Sequence, residues 1–504
     1  MTENQKNKHC LSACMQASVS ALLGITFAIP ALAGDWKFTA GVGATETYTD
    51  NAALGTSGQQ GGDFITSLMP SFSAKKEGAR LKVDAQYSLQ NTFYTRDSTR
   101  NALYHQLNAR ANLALYERAL FLDTTATITQ TAISPLNATG SDNINATNNI
   151  GNTRTFSIAP YWIHRFGSTA TLNVRNTASY VSNDTAGFSN STNNAFNASL
   201  SSGTNFGRYS WGINTLHQNT VFQDRSNVTL STTSVNLGYL VSSRIRLTGT
   251  VGRENNRFAT TTGTTPGGTF WNTSASWAPS LRTSVDFGFG HRFYGNSWNF
   301  AFKTRGAFYT WTADYSESLN TSNNQTTNSG IGATTAQPLI ASDLFLFNRN
   351  VLTNQVFLSK RFGTAFSWSK GRNDFRVDAF HARQTTQIDQ ATNTVTLNLG
   401  SGILSNPNDI FLLTDDFKQV GVSGSWRWKF APLISSNILF GVTRNTFSGL
   451  NRIDTTSSLQ VGLDRQFSSH INGNVSLRHQ NRNSNQSNSD FSENAISGSV
   501  YYKF

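Results

Sequence analysis

The chain has 504 residues, of which only 13% are charged and 38% apolar, with 39 Gly, 35 Phe and a formal net charge of +12. Soluble domains carry about 25% charged and 45–50% apolar residues, so this chain is short of both and fills the balance with uncharged polar side chains. No apolar run of about 18–20 residues follows the N-terminal segment, which excludes a helical membrane bundle, and 12% aromatic residues exclude a solvated disordered chain.

The N-terminus reads as a secretory signal peptide. Lys6 and Lys8 give a basic start, an apolar stretch runs from Leu11 to Pro30, and Ala31-Leu32-Ala33 before Gly34 is the small-x-small pattern of a cleavage site. An uncleaved anchor helix is the alternative. Both cysteines, Cys10 and Cys14, lie in this leader, so the mature chain is expected to hold no disulfide, thiolate nucleophile or Cys-ligated metal. The basic balance of a secreted chain points to anionic lipid headgroups, lipopolysaccharide included, or anionic cargo, and not to nucleic acid.

From Trp36 onward, alternating stretches follow one another, and side chains that alternate in polarity face opposite sides of a strand. Leu81, Val83, Ala85, Tyr87, Leu89 and Phe93 share one face, with Arg80, Lys82, Asp84, Gln86, Ser88 and Gln90 on the other. The signature recurs at Leu120–Ile128, Ala170–Tyr180, Ile245–Val251, Val285–Phe289, Val420–Phe430 and Ile471–Leu477. Short links, such as Phe166–Ser168, Ser242–Ser243 and Pro279–Ser280, alternate with long Asn/Ser/Thr/Gly-rich ones, such as Asn51–Gly62, Ile133–Thr153, Asn255–Gly268 and Ser318–Val351. Turns at one rim and loops at the other predict an all-β, antiparallel up-and-down transmembrane barrel of about 22 strands, an even number within about 18–26, over residues 34–504.

Aromatic residues at strand ends, among them Trp36, Tyr48, Tyr94, Trp162, Tyr180, Trp277, Phe293, Trp428 and Phe430, suit interfacial girdles. The last strand alternates to Tyr502 and stops on Phe504, resembling the C-terminal signal by which barrel-assembly machinery selects its clients. Alternation assigns Arg80, Lys82, Arg110, Arg175, Arg246, Arg282, Arg292, Arg376, Arg427, Lys429 and Arg478 to the lumen, against Asp84, Asp123, Asp286, Asp378 and Asp464. Such an excess of fixed positive charge favours anionic solutes or acidic sugars, unless the groups pair across the barrel and merely fill it. Lys75, Lys76, Arg118, Arg165, Arg208, Arg305 and Arg361 lie near the proposed turns and read as headgroup anchors.

No metal-ligand spacing involves the seven histidines after the leader, and no phosphate loop or cofactor motif occurs. His291 with Asp286, or His479 with Ser476, would be the pairs of a barrel hydrolase. The first strand begins too soon after Gly34 for an N-terminal plug, which leaves Ser318–Val351, with its apolar Leu344-Phe345-Leu346-Phe347, as the expected pore-folding loop.

Several segments, in order along most of the mature chain, carry a resemblance. They are Tyr48-Thr49-Asp50-Asn51, Phe64-Ile65-Thr66-Ser67-Leu68-Met69-Pro70, Tyr87-Ser88-Leu89-Gln90, Ala159-Pro160-Tyr161-Trp162, Arg165-Phe166-Gly167 and Trp311-Thr312-Ala313-Asp314-Tyr315-Ser316-Glu317. Together they resemble the PEP-CTERM system-associated outer membrane proteins. The resemblance implies a Gram-negative outer-membrane location and a link to exopolysaccharide and exosortase systems, whose export components would be partners. It implies no reaction and supplies no functional residues. The sequence therefore predicts a non-enzymatic pore or channel component without a cofactor, with a non-conducting scaffold as the alternative and a hydrolase behind it.

Overall fold

The computed structural model describes residues 36–116, 119–185, 187–223, 226–258, 266–321, 353, 355–386, 411, 413, 414 and 416–504. The leader residues Ala31, Ala33 and Gly34, together with Arg118 and most of the 318–351 segment, lie outside the described residues. The strands in order are β1 (Trp36–Thr49), β2 (Asp63–Glu77), β3 (Leu81–Tyr94), β4 (Ala102–Tyr116), β5 (Leu120–Ala132), β6 (Ile150–Phe166) and β7 (Ala170–Asn183). Next come β8 (Ser191–Ser202), β9 (Tyr209–Phe222), β10 (Val228–Ser242), β11 (Ile245–Asn255), β12 (Gly267–Ser280), β13 (Thr283–Arg292), β14 (Gly295–Arg305) and β15 (Tyr309–Asn320). The last seven are β16 (Phe357–Lys370), β17 (Asn373–Thr386), β18 (Asp416–Ala431), β19 (Ile434–Phe447), β20 (Arg452–Gln466), β21 (Ile471–Ser484) and β22 (Phe491–Lys503).

Each strand pairs antiparallel with the next, and β1 closes on β22 from Gly41↔Lys503 to Thr49↔Ala495, giving a closed 22-stranded sheet. Closure leaves no free edge, so the backbone groups are satisfied without water. A 14-residue strand such as β1 is roughly 46 Å long at about 3.3 Å per residue, enough to cross a bilayer at a steep tilt.

Register fixes which face is which. On the outer row, Leu237 is 66% exposed, Val251 62%, Leu477 57% and Val500 53%. A continuous apolar surface of this kind is a liability in water and the stable state in lipid, so this row is the membrane face of an outer-membrane barrel. The opposite row, rich in Ser, Thr, Asn and paired charges, faces the lumen.

The short turns lie one or two residues beyond the boundaries expected from sequence, at 167–169, 243–244 and 281–282. In the two-residue turn between β16 and β17, Gly371 has φ +63°, a conformation that a β-carbon would strain. The long-loop rim is uneven. β13 and β14 have only 10 and 11 residues and meet there through Phe293 and Tyr294 alone, an exception to long loops at this end. Beyond that dip the β14–β15 ladder ends early: it runs only from Phe300↔Tyr315 to Arg305↔Thr310, and Gly295–Asn299 and Ser316–Asn320 do not pair with each other.

Candidate functional site

The lumen is the candidate site. A cavity of about 940 Å³ crosses it obliquely, bounded towards the short turns by β2–β5 and towards the long-loop rim by β8–β10, Arg292, Phe293 and the end of β15. At the long-loop end beside β1, β3 and β20–β22, the residues joining β5 to β6 fold inward and occupy the interior. Asn143 and Asn145 in this connection have 0% exposure although most of the segment is polar.

Inward-row groups from several strands hold the β5–β6 connection in place. Asp142 and Glu493 flank Arg478, and Glu493 also accepts from Thr49 (2.8 Å), Asn145 (2.9 Å) and Gln480 (2.6 Å). Asn143 donates to Gln90 at 3.2 Å, the Tyr94 hydroxyl to the Ile144 carbonyl at 2.5 Å, and the Ala146 amide to the Ala52 carbonyl at 3.0 Å. Arg452 and Arg482 both pair with Asp454 and both donate to the Leu136 carbonyl at 2.7 Å. Apolar anchors complete the attachment: Ile144 packs with Ala52, Ile65 and Tyr94, and Leu136 packs on Phe357, Phe411, Phe417 and Phe447. The buried charges here are paired, the condition on which burial of charge is tolerated, while the Ser141 and Thr147 hydroxyls, Asn143 Oδ1 and Arg482 Nε are buried without a hydrogen-bond partner among the described residues.

Most sequence-assigned lumen cations lie on the inward row, though few are free. Arg175 pairs with Asp123 at 2.7 Å, Arg376 with Asp378 at 2.6 Å, Lys429 with Asp374 at 3.8 Å, and Arg292 with Glu254. Arg246 donates to Ser210 at 3.0 Å, and Arg110 lies opposite Asp84 in register. Lys82, Arg246 and Arg427 have no ion-pair partner among the described residues. Arg80 and Arg282 are corrections: both lie in turns, just before β3 and β13, because those turns extend past the positions expected from sequence. Arg361 lies in the loop-end half of β16, not near a turn, with its guanidinium 5.0 Å from the Phe380 ring. Tyr94 is likewise not a girdle residue, since it faces inward and is 4% exposed.

At the rim dip, Arg292 stands between Glu254 and the Tyr294 hydroxyl, while Lys360 lies 3.5 Å from Glu317 and 5.9 Å from the Tyr294 ring. Burial pushes the Tyr294 phenol above its ordinary range, with Arg292 pulling the other way. The imagined hydrolase pairs do not assemble. His291 is on the outer row opposite Trp271 and Asp286 on the inner row opposite Ser276; His479 is on the outer row opposite Leu459 and Ser476 on the inner row opposite Gly462.

No protein-family model matches the chain, and no curated protein matches it. Solved structures do match. The FrpB iron transporter of Neisseria meningitidis (F3-3 variant) has 10% identity and a TM-score of 0.51, over 94% of this chain and 82% of its own. The siderophore receptor PirA of Pseudomonas aeruginosa has 8% identity and a TM-score of 0.43, over 92% and 80%. OpdK of the same organism, solved with vanillate, has 11% identity and a TM-score of 0.35, over 93% and 99%. At this identity the FrpB likeness concerns the fold alone, a large closed barrel of the outer-membrane type.

Proposed function

We propose that this protein is a non-enzymatic outer-membrane channel component for polar solutes, narrowed at its long-loop end by the β5–β6 connection. The observation that carries the reading is the 940 Å³ cavity inside a closed barrel with a polar, charged lining. Its place is in exopolysaccharide or surface-protein export, the process that the resemblance to PEP-CTERM system-associated proteins implies. Lys82, Arg246 and Arg427 supply fixed charge without an ion-pair partner among the described residues, and the lumen prefers anions through them. Arg253 and Arg444, near the long-loop end of the outer row, meet the phosphates of lipopolysaccharide, and the strand ending on Tyr502 and Phe504 is what the barrel-assembly machinery recognises.

Planar-bilayer recording of the refolded chain tests this reading. Stable conductance steps with anion-shifted reversal potentials support it, whereas cation preference removes the anion assignment. Silence from protein shown to be folded by heat-modifiable gel mobility favours a second reading, a non-conducting scaffold, which the dense attachment of residues 133–149 also supports. Loss of surface polysaccharide on deletion of the gene, restored by complementation, tests the export link.

A further inference from the structure

We propose that the β4–β7 wall of the lumen carries a sugar-ring site, in which a pyranose stacks on Phe121 and its hydroxyls are read by Asn112, Asp123 and Arg175. One row of inward side chains crosses four strands at a single height, in the order Ala114, Phe121, Tyr161, Arg175. The Phe121 and Tyr161 rings stack at 4.9 Å with 15° between their planes, and the Arg175 guanidinium lies 4.9 Å from the Tyr161 ring. Tyr161 therefore has an aromatic neighbour on one side and a cation on the other. Among the described residues, Phe121 has a ring contact with Tyr161 alone. Its other neighbour is Ala114, whose methyl group is too small to cover a phenyl face.

The polar groups stand two residues further along β5. Asp123 accepts from Asn112 Nδ2 at 2.5 Å and from Arg175 Nη2 at 2.7 Å, so its orientation is fixed from both sides. A carboxylate offers about four lone-pair sites and a guanidinium five donors, so both groups keep capacity after this pairing. Asn112, Asp123 and Arg175 all line the cavity. Residues two apart on a strand are about 6.5–7 Å apart, close to the span from the centre of a six-membered sugar ring through a rim hydroxyl and its hydrogen bond to the partner atom.

Few solutes match this arrangement. A pyranose has an apolar face of axial C–H groups and a rim of vicinal hydroxyls, each able to donate and accept. An inorganic anion has no use for the open face of Phe121, and an apolar solute would strip water from Asp123 and Arg175 without replacing it. The site deepens the channel reading and rests on it in that the sugar reaches Phe121 through the lumen.

Binding of cellotetraose and of tetragalacturonate to the refolded full chain in detergent micelles tests the site, by calorimetry and by saturation-transfer NMR. Saturable binding of either probe is expected, with saturation strongest at axial ring protons. Phe121→Leu, which keeps bulk and removes the aromatic face, weakens it at least tenfold, and Phe121→Trp preserves it. Asp123→Asn weakens it by a similar factor and probes the same site should Phe121→Leu not fold. The proposal is overturned if neither probe binds the folded chain, or if folded Phe121→Leu or Asp123→Asn binds as well as the parent. Conductance without sugar binding removes this site and leaves the channel, while sugar binding by an electrically silent barrel does the reverse.

Discussion

Arg478 is the most consequential single side chain in the lumen, since it is 9% exposed and shared between Asp142 and Glu493. Removing one partner of a buried charge group leaves the others unpaired, at a cost of about 3–5 kcal/mol. Arg478→Met is therefore expected to lower the urea unfolding midpoint markedly, while Arg282→Gln, in an exposed turn, leaves it unchanged. A midpoint for Arg478→Met equal to the parent's would mean that the network contributes little to stability. On the outer row the opposite rule holds. Leu237→Arg places a charge against lipid, which costs about 2–4 kcal/mol near the bilayer midplane, and the heat-modifiable folded fraction in liposomes should fall accordingly.

Among the elements, the 133–149 connection decides how open the lumen is. Deleting residues 137–146 removes the filling but leaves β5 and β6 intact, so single-channel conductance should rise several-fold over the parent; an unchanged step size would show that this segment does not limit the path. Its apolar attachment is testable separately. Phe417 has 0% exposure and stacks on Phe447 at 5.0 Å, and Phe417→Ala should cost about 3–5 kcal/mol in urea unfolding. The strands were legible in the sequence because alternation is a local signal. The inward connection was not. Its Asn, Ser, Thr and Gly residues have the composition of a surface loop, and the groups that hold it, such as Gln480 and Glu493, lie more than 300 positions away in the chain. Leu136 and Ile144, isolated apolar residues in a polar segment, were the only local hint. The Phe121 row was hidden for a related reason, since stacking across strands depends on register, and alternation within a strand does not reveal it.

At the scale of the whole barrel, local pairing sets the electrical character more than total charge does. Arg175, Arg292, Arg376, Lys429 and Arg478 each have a carboxylate partner, so the proposed anion preference would rest on the few cations without one. A Lys82→Gln/Arg246→Gln/Arg427→Gln triple variant should bring the reversal potential close to zero under a salt gradient, and an unchanged potential would move the preference elsewhere. Charge excess was legible in composition, but pairing required the closed structure to bring distant strands face to face.

A ring of hydrogen-bonded ladders opens where its shortest ladder lies. β1 and β2 are joined over fourteen registered positions, and β14 and β15 over six. The backbone amides of Gly295–Asn299 and Ser316–Asn320 should thus exchange with deuterium well before those of β1 or β2, because local opening there breaks few bonds. Unfolding of this barrel would then start in the middle of the chain, as a split between neighbours in sequence, and not at the junction where the two ends of the chain meet.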